Sequence, residues 1–135
     1  MSDSRVIVLQ GHPILNEHGV AAGAITPGML VQGVSSISAH STSGGAAART
    51  FALEREYMGE TIDDAYAVGD VVKVASFSPG DVVNGLVVSG AISAGSFVES
   101  NGDGYLKVYG SGIRVGRVLE NVGGGGSQRA AVEIY

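Results

Sequence analysis

Cysteine and tryptophan are absent from this 135-residue chain, proline occurs three times, aromatics make up 6% and charged residues only 16%. Without cysteine there are no disulfides and no thiolate metal sites. With so few aromatics the core has to be built from Val, Ile, Leu and Ala. The charged share falls below the usual ~25%, which leaves surface available for extensive contact with other chains. The net charge is −5, and the few Lys and Arg are scattered rather than clustered. Phosphate-backbone recognition needs a basic patch, so nucleic acid is not an expected partner. No apolar run approaches the roughly 18 residues of a membrane span, and a membrane partner is not expected either. The segment MSDSRVIVLQ lacks the ordered regions of a signal peptide, so the chain reads as soluble and unprocessed. Its length suits one domain able to bury a core unaided.

What is present is glycine, 22 residues of it. TPGMLV (26–31), VGDVVKV (68–74), SPGDVV (78–83) and SAGSFV (93–98) each place glycine just before an apolar, often β-branched run. Glycine permits the positive φ of a tight turn, and Val-rich runs favour strands. The segments recur about every ten residues, the spacing of sandwiches and barrels. Asn101-Gly102 and Asp103-Gly104 are hairpin signals. Leu106 and Val108 then share one face, while Tyr105, Lys107 and Tyr109 share the other. IRVGRVLENV (113–122) reads as a strand with a bulge at Gly116, and AAVEIY (130–135) as the closing strand. The small, polar stretch 35–50 reads as a mobile loop. ARTFALEREYMG alternates as a strand at Phe51, Leu53 and Tyr57, although Leu53 and Tyr57 also fit helical spacing. Thr61 and Asp64 fit one capped helical turn. Residues 1–23, with VIVL at 6–9 and HPILNEHG after it, read either as an extended arm or as an ordinary first strand.

Chemistry is sparse. Glu99, Asn101, Asp103 and Gly104 match the start of an EF-hand loop, but the twelfth position is Gly110 where a bidentate Glu is needed, so a plain hairpin is the better reading. His12, His18 and His40 fit no metal spacing and read as surface histidines. Ser35, Ser36, Ser38, Ser41 and Ser43 lie outside any nucleophile elbow. Glu54, Glu56, Glu60, Asp63 and Asp64 form an acidic cluster of the kind glycosidases draw on, yet they read as exposed strand and turn positions. The GGGG run at 123–126 lacks the Lys-Ser/Thr of a phosphate loop. No cofactor is expected.

Taken in order, AITPGMLV (24–31), FALEREYMGETIDDAYAVGDVV (51–72), SPGDVVNGLVVSGAISAGSFVESNGDGYLKV (78–108), IRVGRVLENV (113–122) and the terminal AAVEIY resemble the head decoration (cement) proteins of tailed bacteriophages. The resemblance implies a small, non-enzymatic, β-rich protein, commonly a homotrimer. Such a protein sits on the outer capsid surface of the virion after assembly in the host cytoplasm, and cements neighbouring major capsid protein subunits.

The expected fold is all-β: a single-domain β-sandwich or barrel, jelly-roll or tulip-like, of about nine strands at this turn spacing, with an extended N-terminal arm (1–23) preceding a domain at 24–135. Val72, Val74, Val83, Val87, Phe97, Leu106, Val108, Ile113, Val115, Val132 and Ile134 are the expected core. Val6, Ile7, Val8, Leu9, Ile14 and Leu15 are the candidate capsid-binding residues, adding as a strand to a neighbour's sheet. Deleting residues 1–15 should then spare the fold. The alternative is a carbohydrate- or host-surface-binding module using tyrosines 57, 66, 105 and 109, with Tyr105 and Tyr109 as the stacking platform.

Overall fold

The recurring glycine segments adopt one and the same turn. In the computed structural model, which describes residues 6–17, 19–55, 58–88, 90–124 and 126–135, the amides of Met29, Asp70, Asp81 and Ser96 donate to the carbonyls of Thr26, Ala67, Ser78 and Ser93 at 3.0–3.1 Å. The third residue of each turn is a glycine with φ between 90° and 98°, the type II geometry that a Cβ resists. In two of the turns an aspartate folds back. Asp70 and Asp81 accept from the amides of Ala67 and Ser78, both at 2.9 Å. Each turn feeds the chain into an extended, apolar segment.

Twelve strands result among the described residues: β1 (Val8–Gln10), β2 (Ile14–Asn16), β3 (Val20–Ala21), β4 (Val31–Gln32), β5 (Ser36–Ala39), β6 (Thr50–Ala52), β7 (Val74–Ser76), β8 (Val82–Val87), β9 (Phe97–Ser100), β10 (Leu106–Val108), β11 (Arg114–Val118) and β12 (Gln128–Ile134). The protein is all-β and forms one small domain, with no α-helix among the described residues. β8, β10, β9, β11 and β12 close into a barrel, because β12 pairs back onto β8, and β1 joins the main sheet beside β8. Two three-stranded sheets, β2-β7-β6 and β3-β5-β4, pack around it. Most strands are only two to four residues long, which is why the strand number exceeds the nine expected.

β8 is the pivot. Every residue of VVNGLV is buried. One edge pairs with β12 from Val82↔Glu133 to Val87↔Gln128. On the other edge the amides of Asn84, Leu86 and Val88 donate to the carbonyls of Ile7, Gly28 and Leu106 at 2.7, 3.0 and 2.9 Å. Three distant chain segments thus share one strand edge. Val83 and Val87 enter the main core with Phe51, Phe77, Leu106, Val115, Val132 and Ile134, where Phe51 meets Phe77 edge-to-face at 5.6 Å. A second cluster of Ile25, Val31, Ile37, Tyr66, Val72 and Val74 fills the space between the small sheets.

The extended arm is corrected by this packing. β1 pairs antiparallel with β8, β2 antiparallel with β7 and β3 parallel with β5, so the described residues of 1–23 are woven into the fold. Ile7, in the bend just before β1, is fully buried, and Asn84 Nδ2 donates to the Val6 carbonyl at 3.1 Å. The same packing argues against the expectation that residues 1–15 are dispensable for folding, since Ile7 fills the core.

Eight of the eleven expected core residues are buried. Phe97 is half-buried, and Val108 and Ile113 are exposed. β10 runs parallel to β8 and meets it at Val87, the last residue of β8, so Val108 projects beyond its neighbour's end. Ile113 precedes β11, in a loop whose amide donates to the Gly44 carbonyl. Gly116 does sit at a register shift of β11. A Cβ there would lie 2.3 Å from the Glu133 carbonyl oxygen, so close strand approach requires glycine. The stretch 35–50, expected as a mobile loop, contains β5, which pairs with both β3 and β4. The Asp64 carboxylate accepts from the Thr61 amide and the Thr61 hydroxyl accepts from the Asp63 amide, half of a capping box, but they close an isolated turn instead of opening a helix. Tyr57 lies outside the described residues, and the strand reading holds for Thr50–Ala52.

Arg129 ties the turns to the barrel. Its guanidinium donates to the Pro27 carbonyl from Nε at 3.2 Å and from Nη2 at 2.9 Å, and Nη2 also reaches the Ile62 carbonyl. Two stability predictions follow from this packing. Ile7→Ala should destabilise by about 2–5 kcal/mol in denaturant unfolding, as for a core aliphatic residue, whereas an arm residue would show no change. Arg129→Met, which keeps the apolar stem but strands two carbonyls, should lower stability by about 1–3 kcal/mol with an unchanged m-value.

Candidate interaction surface

β2 is an edge strand of the β2-β7-β6 sheet. Its Ile14 and Leu15 are 76% and 54% exposed, unusual for large aliphatics on a sheet edge. A cleft of about 430 Å³ opens beside β2, with Val6, Val8, Leu15 and Leu53 forming its apolar wall and Glu54, Glu60, Thr61 and Lys73 its polar one. Of the six residues the sequence nominated, Val6, Val8 and Leu15 therefore meet at one cleft, while Ile14 is exposed on the other face of β2. Leu9 is half-buried in β1. Ile7 is in the core and inaccessible to a partner, which removes it from the nominated set.

The acidic cluster is occupied with holding backbone and cations. A Glu54 carboxylate oxygen accepts from the Ile7 amide at 2.9 Å. Glu60 receives a two-pronged bond from Arg55 Nη2 at 2.7 and 2.8 Å. Arg55 in turn lies over the Tyr66 ring at 4.6 Å. Asp64 accepts from the Thr61 amide at 2.7 Å, and Asp63 stands 3.7 Å from Arg129. Glu56 lies outside the described residues. Among the described residues no group of three His, Asp or Glu side chains converges as a metal cage.

The outward face of β9–β12 carries an arrangement that sequence reading missed. The Arg114 guanidinium lies over Phe97 at 4.5 Å and Tyr109 at 5.1 Å. Phe97 meets Tyr135 edge-to-face at 5.0 Å. Arg117 lies 5.7 Å from the Tyr135 ring and donates from Nε to Glu133 at 2.7 Å. Cross-strand pairing assembles this row, with Phe97 opposite Arg117 and Arg117 opposite Glu133. The only sequence signal was the alternation within β10, β11 and β12. The partners lie in or next to four different strands. Of the nominated tyrosines, Tyr105 and Tyr109 are half-buried, with Tyr109 covered by Arg114. Tyr66 is buried and donates its hydroxyl to the Leu53 carbonyl at 2.5 Å, so it presents no stacking surface.

Two buried polar groups lock the loops behind this face. Glu99, considered as a calcium ligand, accepts from the Gly110 and Gly112 amides at 2.8 and 3.1 Å. These amides, helped by Lys107 Nζ at 3.7 Å, hold its carboxyl below the ordinary carboxylate range. His40, expected at the surface, is buried. Its Nε2 lies 2.8 Å from the Ala46 carbonyl, so that nitrogen carries the proton, and Nδ1 accepts from the Ser100 hydroxyl at 2.6 Å. Ser100 Oγ in turn accepts from the Gly102 amide at 3.2 Å. The 41–46 loop is pinned further by Gly44, whose amide donates to Ser100 and whose carbonyl receives Ile113. A Cβ on Gly112 would fall 2.4 Å from the Gly44 oxygen, so small residues here mean tight backbone packing. His12 is exposed, and His18 lies outside the described residues.

No protein-family model matches the chain, and no curated protein matches it.

The Glu99 clamp predicts a pH signature. A carboxyl whose folded pKa is depressed adds stability that is present above its unfolded value of about 4.3 and is lost as pH falls through the lower folded value. Glu99→Gln, which keeps an acceptor but not the charge, should melt below the parent at neutral pH. The gap between the two melting temperatures should close progressively in acid. A gap that persists unchanged at the lowest accessible pH would show that charge is not what Glu99 contributes.

Proposed function

We propose that the protein is a structural virion component. In this reading it binds the outer surface of a tailed-phage capsid as an oligomer, cements neighbouring major capsid protein subunits, and performs no catalysis. The observation that carries the reading is the β2 edge. Ile14 and Leu15 stand exposed on a strand with an open side, beside a cleft walled by Val6 and Val8. A solvated edge of this kind invites pairing with another chain. Strand addition supplies main-chain hydrogen bonds, and the adjoining cleft seats alternate side chains of the partner. The acidic residues, which a hydrolase would aim at a substrate, hold amides and arginines instead.

The segment order that resembles cement proteins supplies the identity of the partner, and the physics supplies the mode. A homotrimer presents three copies of the edge at once, and linked engagement raises avidity by about 10²–10⁴ where geometry permits. The partner is protein and not nucleic acid, in keeping with the net charge of −5. An acidic protein also suits the outside of a DNA-filled shell better than its interior.

The test is co-sedimentation of the purified protein with expanded, undecorated heads, followed by cryo-EM. Bound protein should give extra density on the outer surface at symmetry axes. Ile14→Glu and Leu15→Glu should abolish pelleting while leaving the melting temperature within a few degrees, because both side chains are solvent-facing. Pelleting that survives both substitutions would remove the β2 edge from the contact, and density on the inner surface would overturn the reading itself.

A further inference from the structure

We propose that the outward face of β9–β12 is a docking surface for an acidic, extended polypeptide segment. The chain is acidic as a whole, yet its cations are unevenly placed. Of eight Lys and Arg, Arg49, Lys107, Arg114 and Arg117 gather around this face. Its two carboxylates are already engaged: Glu99 is buried against the Gly110 and Gly112 amides and Lys107, and Glu133 accepts from Arg117. Arg114 differs from these. It is exposed, it stacks on two rings, and no carboxylate lies within ion-pair distance of it among the described residues. A guanidinium in that setting keeps its donors for an incoming carboxylate, and the rings fix its orientation in advance.

The composition is that of an interface centre, where arginine and tyrosine are enriched and lysine is depleted. Tyr135 is 44% exposed and adds an apolar body next to the cation, so the face suits a segment carrying carboxylates and apolar groups together. The face also adjoins the β6 side of the β2-β7-β6 sheet, across β7 from the β2 edge. Ile14 pairs with Ser76, which pairs with Thr50. Arg49, the residue before Thr50, donates to the carbonyls of Tyr135 and Arg114 at 3.2 and 2.6 Å. Positive φ at Arg49, 56°, is a conformation that a non-glycine residue holds only when its surroundings impose it. Here three carbonyls do so, those of Ala47, Arg114 and Tyr135. Arg49 thus fixes the junction between this face and β6. The inference does not require the partner to be a capsid, and binding to heads and binding to an acidic peptide can fail independently.

The test is titration of the isotope-labelled full chain with a synthetic Glu-Ser repeat peptide. The controls are a Lys-Ser peptide of equal length and an oligothymidine strand. The Glu-Ser peptide should shift the amides of Phe97, Lys107, Tyr109, Arg114, Arg117 and Tyr135, and the shifts should weaken as salt is raised. Arg114→Gln should lower the affinity about tenfold, an amount equal to ~1.4 kcal/mol. Glu133→Gln, which releases Arg117, should tighten binding. Melting curves on both variants separate lost binding from lost folding. The proposal is overturned if the peptide shifts no amides or shifts others, if the Lys-Ser peptide acts alike, or if Arg114→Gln binds as the parent does. Equal shifts by oligothymidine would also overturn it, in favour of a general anion surface.

Discussion

The rest of the molecule depends on satisfying the backbone of β8. A strand buried along its whole length has to find a partner for every amide and carbonyl, since a buried unpaired peptide group costs more than a typical contact returns. β12 meets that demand on one edge. No single strand meets it on the other, where the carbonyls of Ile7, Gly28 and Leu106 each take one amide. The N-terminal segment, the first glycine turn and the β9–β10 hairpin are therefore drawn to one line. The barrel closes because β10 reaches β8 there, and the small sheets lie where the other two segments leave them. With most strands so short, cooperativity comes from this convergence more than from any one ladder.

Much of this was legible before the structure. The glycine turns were, because type II geometry is a property of four consecutive residues and needs nothing distant. Gly116 was, because a glycine inside an apolar run points to a bulge or a close approach. Val83, Val87, Val115 and Val132 read correctly as core because alternation reports which face is buried. Alternation does not report where a neighbouring strand ends. Val108 has the parity of Leu106 but stands beyond the last residue of β8, and Ile113 belongs to a loop despite its β-branched side chain. The N-terminal segment resisted for a related reason. VIVL has the pattern of a strand whether it pairs at home or with a neighbour, and only the amide of Asn84, some 77 residues away, settles which.

The contact surfaces were half legible. Val6, Val8 and Leu15 could be nominated because VIVL and HPILNEHG read as an extended apolar segment able to add as a strand to a neighbour. Their meeting at one cleft depends on β1 and β2 joining different sheets, which is tertiary information. The arginine–aromatic row was hidden more completely. Arg114 meets Phe97 and Tyr109 only because β11 pairs with β9, and Tyr135 joins only because β12 pairs with β11. Which strands pair, and in what register, is not written in the alternation of any one of them. His40 and Ser100, sixty residues apart, show the same limit for a buried polar pair.

The polar residues explain how so loop-rich a barrel can present a defined surface. Glu99, His40, Arg49, Arg55 and Arg129 each spend most of their hydrogen bonds inside the chain, on amides, carbonyls or a paired side chain. In a chain with few charges, these are concentrated where secondary structure is thin. Loops without ladders would otherwise sample many conformations, and ordering them on contact would weaken binding by about 0.5–1.5 kcal/mol per immobilised side chain. Ordering them during folding removes that penalty from the encounter with a partner. The same allocation engages Glu99 and His40 inside the fold. A carboxylate that accepts two backbone amides is a poor general acid, and an imidazole bonded through both nitrogens has no lone pair left for a metal. Presented outside are an aliphatic edge, aromatic rings and a stacked guanidinium, held on a frame whose loops are already tied down.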